Sequence, residues 1–215
     1  APSTPRGDRT PELWVDAVSA IVRLEGDELV RARVAAVADA WDRAFDDPGV
    51  SARIRGIAAD VDDPVGALRD RVVTLLADRL EQTVEPGVSG EPGGPLFQEV
   101  VWRAADRRDE ELGWLADAVG NRTTAGRDLP LIEEIRAFCA LVDAYERVVD
   151  LAPDRASASF PRLYYPVVRH TVWLHNRRGQ GRAANAMYRV ELRFAEQCAH
   201  DSGVALLSKN LACGP

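Results

Sequence analysis

The chain has 215 residues, 46% of them hydrophobic and 28% charged, with a formal charge of −7 at pH 7. That length suits one good-sized domain or two small ones, and the composition excludes a mainly disordered chain or a fibre. No apolar run reaches the roughly 20 residues that cross a bilayer, and residues 1–10 lack the hydrophobic stretch of a secretory signal, so the expected setting is soluble, cytoplasmic and without a membrane partner.

In chain order, Thr10-Pro11 opens the first expected helix, with a capping residue followed by proline in the first turn. Its apolar stripe is Leu13, Trp14, Ala17, Val18 and Ile21. A second stripe runs through Val30, Val34, Val37, Trp41 and Phe45. The third follows Asp63-Pro64 and runs through Leu68, Val72, Leu75, Leu76 and Leu80. Residues 1–84 therefore read as an N-terminal helical region of about three helices. Residues 85–95 hold four glycines and three prolines and cannot continue a helix, so they read as a loop or linker.

Residues 96–215 read as a C-terminal helical region. Helical pattern resumes near Leu96 and reaches about Val119, with a loop from Gly120 to Asp128. The clearest helix spans Pro130 to Asp150, where Leu131, Ile135, Phe138, Val142, Tyr145 and Val149 form one apolar stripe and Glu133 and Glu134 fall largely opposite. Cys139 reads as core filler, and most of the five tryptophans, Trp14, Trp41, Trp102, Trp114 and Trp173, sit in apolar stripes and read as core. A break at Ala152 to Ser159 precedes helical segments near Arg162 to Asn176 and Arg182 to His200. Val167-Val168 and Val204 to Leu207 are too short to establish a sheet. The expected fold is an all-α bundle of about seven to eight helices.

Charge is uneven along the chain. From Pro153 to Pro215 there are nine basic and four acidic residues, a surplus of +5, which leaves −12 for the remainder. All three histidines, His170, His175 and His200, lie in this basic segment. Histidine exchanges protons near neutral pH, and guanidinium stabilises charge on phosphate, so two imidazoles among Arg169, Arg177, Arg178 and Arg182 suit metal-free cleavage of RNA.

Arg169, the polar His170, four intervening positions and His175 resemble the arginine, polar residue and histidine signature of the HEPN superfamily. The resemblance implies an all-helical, commonly dimeric, metal-independent endoribonuclease without a cofactor. It would assign phosphate stabilisation to Arg169 and general acid or base work to His175, with His170 and Asn176 orienting them. Arg177, Arg178 and Arg182 would hold the RNA backbone. Six positions along a straight helix separate two groups by about 9 Å and roughly 120°, so such a site needs a helix break or two copies.

Two other readings stand beside this one, and whether the chain is an enzyme is left open. One is a non-catalytic helical module that binds a small molecule or a protein in a regulatory or biosynthetic system. The other is a small-molecule enzyme of specialised metabolism with His175 or His200 as base. Glu196 and His200 stand four apart, but no second such pair accompanies them, and the three cysteines form no CxxC pair, so no metal site or disulfide framework is expected. The glycines of Arg178-Gly179-Gln180-Gly181-Arg182 read as a turn between helices.

Overall fold

The computed structural model describes residues 30–81, 93–126 and 129–212. The expected helix around Leu13 to Ile21 and residues 85–92 of the Pro/Gly-rich segment lie outside the described residues. Among the described residues the regular elements are all helical: α1 (Val30–Phe45), α2 (Pro48–Ile57), α3 (Pro64–Glu81), α4 (Pro95–Ala125), α5 (Leu131–Leu151), a 3-10 turn (Pro153–Arg155), α6 (Ala156–Arg178), α7 (Gly181–Gln197) and α8 (Asp201–Ala212). The fold is all-α, as the periodicity indicates. None of the described helices is long and apolar enough to cross a membrane. The chain divides into two compact units, residues 1–104 and 105–215, at a point inside α4.

In the first unit α1, α2 and α3 pack on one another. Val34, Val37, Ala38, Trp41 and Ala44 of α1 and Val72, Val73, Leu76 and Leu80 of α3 are buried, close to the expected stripes. Helix α2 was not evident from periodicity. It starts by the same device as α3: Asp47 accepts the Val50 N–H at 2.9 Å ahead of Pro48, and Asp63 accepts the Gly66 N–H at 3.0 Å ahead of Pro64. The start of α4 is capped from another helix. Asp39 and Asp42 of α1 accept the Gly94 and Leu96 N–H groups at 3.1 and 2.9 Å, satisfying donors that a helix start otherwise leaves open.

The second unit gathers the latter part of α4 with α5 to α8 around one core, including Leu112, Phe138, Tyr145, Phe160, Leu163, Leu174 and Phe194. Helix α4 continues to Ala125 where a loop was expected from Gly120. There the Thr123 and Thr124 hydroxyls turn back onto the Val119 and Gly120 carbonyls, both at 2.9 Å, so their polar groups are satisfied within the helix. Helix α6 likewise begins at Ala156, inside the expected break, and runs through Pro161 and Pro166. Each proline removes one backbone donor without ending the helix.

Three expectations about burial are corrected. Glu134 lies inside the α5 stripe with Phe138, Leu141, Tyr145 and Val148, not opposite it. Cys139 is exposed, because the buried face of α5 is turned about one position from the stripe read in the sequence. Trp102 and Trp114 are exposed at 43% and 74%, whereas Trp41 is core.

The corners around α7 use left-handed backbone. Gly179, at φ 63°, closes α6, and the Gln180 N–H bonds back to the Leu174 carbonyl at 3.0 Å. Ala199, between α7 and α8, adopts φ 51° with a side chain that disfavours it. Ala199→Gly is therefore expected to raise folding stability by about 0.5 kcal/mol, the left-handed strain outweighing glycine's unfolded-chain entropy. Urea denaturation with a lower midpoint for the variant would contradict this.

Candidate functional site

The basic segment folds into α6, a tight turn and the start of α7. Phe160, Leu163, Tyr164, Val167, Thr171 and Leu174 form the buried face of α6, at the three- and four-residue spacing that one helix face requires. Arg169 falls off that face and is exposed, as are Asn176, Arg177 and Arg182, while His175 is half-buried. Helix α6 has no break between Arg169 and His175. The two side chains of one copy therefore leave the helix about 120° apart.

His175 Nδ1 lies 3.2 Å from Asn176 Oδ1. An amide oxygen only accepts, so a hydrogen bond at this contact requires the ring proton on Nδ1.

His170 and Arg178 have different surroundings. The His170 ring is 3% exposed and stacks on Trp173 with centroids 5.7 Å apart. Its Nδ1 lies 3.2 Å from the Thr123 hydroxyl and its Nε2 3.4 Å from Glu134 Oε2. Arg178 donates to the Leu129 carbonyl at 2.7 Å, stands 3.7 Å from Glu134 Oε1 and lies over Trp173 at 5.4 Å. Glu134 itself is 1% exposed, so its carboxylate sits between a guanidinium and an imidazole inside the protein.

Burial, and then the guanidiniums of Arg122 and Arg178, push the His170 imidazole down to about 4, so it is neutral at neutral pH. A neutral ring has one N–H to give. If Nδ1 gives it to Thr123, Nε2 faces the carboxylate bare. Nε2 and Glu134 Oε2 each lack a hydrogen-bond partner among the described residues, so the imidazole and the carboxylate lie 3.4 Å apart in proximity without a hydrogen bond. These contacts bring α4, α5 and α6 together within the second unit.

The seven residues singled out from the sequence therefore separate. His175, Asn176 and Arg177 lie in the last turn of α6 and Arg182 at the start of α7, with Arg169 further back on α6, whereas His170 and Arg178 lie near Glu134. Thr123 and Glu134 were missed. Glu134 had a legible signal, since Glu134, Phe138, Leu141, Tyr145 and Val148 repeat at alternating spacings of four and three. Thr123 had none, because its role depends on α4 continuing past Gly120.

His200 does not join Glu196 on one helix face, because α7 ends at Gln197. Its Nδ1 accepts the Gly203 N–H at 3.1 Å and caps α8. Among the described residues no three His, Cys, Asp or Glu side chains group as a metal centre would need. No protein-family model, curated protein or solved structure matches the chain.

Proposed function

We propose that the chain binds RNA through the exposed basic end of α6 and α7, and that two copies together form a metal-independent endoribonuclease site. The observation that carries this reading is the exposure of Arg169, Arg177 and Arg182 in the one segment that also holds His175, whose Nδ1 lies 3.2 Å from Asn176 Oδ1. In one copy the unbroken helix holds Arg169 and His175 on different faces, so the pair would be completed by His175 of one copy and Arg169 of the other. His175 would take the proton of a ribose 2′-hydroxyl as its oxygen attacks the adjacent phosphorus. Arg169 would stabilise the charge on the phosphate oxygens while the bond from phosphorus to the 5′-oxygen breaks and water protonates that oxygen. The product would carry a 2′,3′-cyclic phosphate. Arg177 and Arg182 would hold the RNA backbone, giving affinity that falls steeply with salt.

A second reading, a non-catalytic helical module for a small molecule or a protein, is favoured by a specific observation. His170 and Arg178, two of the residues that would serve RNA, are drawn inward to Glu134.

Incubation of labelled RNA with the purified chain in EDTA tests the two. Cleavage to cyclic phosphate ends is expected, with a loss of about 100-fold or more in Arg169→Ala and in His175→Ala. Mixing the two variants should restore part of the activity, because a mixed pair retains one intact site. Absence of cleavage together with salt-insensitive or undetectable RNA binding would overturn the proposal and favour the second reading.

A further inference from the structure

The solvent side of α6 is one continuous row. Ala158, Arg162, Tyr165, Arg169, Val172 and Asn176 are all exposed, and they recur at alternating spacings of four and three, so they line one side of the helix from its first turn to its last. Tyr165 stands in the middle of that row. It is 62% exposed, whereas Tyr164 beside it is 5% exposed. The two rings meet edge to face, with centroids 5.2 Å apart and planes at 67°. Such a contact covers at most one face of the Tyr165 ring and leaves the other open.

The arginines on either side of Tyr165 differ. Arg162 is held on α4, where it pairs with the Asp109 carboxylate at 2.7 Å and donates to the Asp109 carbonyl at 3.0 Å. Arg169, one turn later, is exposed and forms no ion pair among the described residues. The row therefore offers an open aromatic face and, about 6 Å further along the helix axis, an uncompensated guanidinium.

That order suits one kind of partner. The larger apolar members of the row, Tyr165 and Val172, lie on either side of Arg169 and form no continuous apolar patch of the sort a protein partner needs. A single nucleic-acid strand alternates charged phosphates with flat bases, and an arginine beside an open ring matches both. In an RNA duplex the bases are already stacked and paired, and a ring standing on a helix surface cannot reach between them.

We infer that Tyr165 is a base-stacking platform: resting on the RNA reading above, it receives the unpaired base next to the phosphate held by Arg169, and so selects single-stranded RNA over duplex. Tyr165 makes no bond to the reacting atoms, so its part is specificity and positioning.

Fluorescence anisotropy of the full chain with a labelled single-stranded RNA and with a duplex of the same sequence, each over a series of salt concentrations, tests the platform. Tyr165→Ala should weaken single-strand binding about tenfold or more without altering the slope of log affinity against log salt, because the ring carries no charge. Tyr165→Trp should keep the wild-type affinity. Arg169→Ala should instead reduce that slope by about 0.7, the share of one phosphate contact. Duplex binding should be the same in Tyr165→Ala as in the wild type. If the wild type binds neither RNA in a salt-dependent way, the RNA reading falls and the platform with it. If salt-dependent binding is present, a single-strand affinity of Tyr165→Ala within about twofold of the wild type, or an equal loss on the duplex, overturns the platform alone.

Discussion

Glu134→Ala is expected to lower folding stability by about 3 kcal/mol, although it deletes one acidic side chain from a chain of net charge −7. The cost comes from what stays behind. Arg178 would lose its carboxylate while its side chain is only 18% exposed, and a void would open 3.4 Å from His170 Nε2 where the carboxylate stood. The value sits at the lower end of the range for a broken buried pair because Arg178 keeps the Leu129 carbonyl and the Trp173 ring. Replacing both charged partners by apolar residues of similar volume, as in Glu134→Leu with Arg178→Met, should cost less than Glu134→Leu alone. Urea unfolding followed by circular dichroism measures both quantities. A loss under about 1 kcal/mol for Glu134→Ala, or full additivity in the double variant, would mean that the carboxylate does not anchor Arg178 and His170.

Phe160→Ala should cost about 4 kcal/mol, the usual range for removing a fully buried ring. Phe160 is completely buried, and its ring lies 5.9 Å from Tyr145, 5.6 Å from Tyr164 and 5.3 Å from His200. It thereby joins α5 and α6 to the turn that leads into α8. Three of its neighbours are aromatic and planar, so the space it leaves collapses poorly. Trp114→Ala removes a larger side chain that is 74% exposed and should change stability by no more than about 0.5 kcal/mol. Comparison of the two midpoints under one set of conditions checks burial directly. Equal losses would place Trp114 in a packed environment and contradict the assignment.

Much of the fold was legible because apolar spacing is a local property of the chain. The stripes beginning at Val30 and Leu68 fall on α1 and α3, and the Asp63-Pro64 signal marks the start of α3. Boundaries were less legible where residues outside the pattern decided them. Helix α4 continues past Gly120, and α6 continues through two prolines. Glu134 reads as a surface charge because charged residues are rarely buried, and Glu191 carries no signal of its own in the sequence. Each nonetheless occupies an apolar position of its stripe, Glu191 between Tyr188 and Ala195.

The candidate site divides along the same line. That Arg169, His175, Asn176 and the neighbouring arginines crowd one short segment is written in the order of residues, and so is the six-position interval that keeps Arg169 and His175 apart on a helix. That His170 faces inward while Arg169 beside it faces outward was decided by the rotation of α6 against α4 and α5. A helix repeats every 3.6 residues whatever surrounds it. Which side it buries depends on the surfaces it meets, and those come from residues distant in the chain.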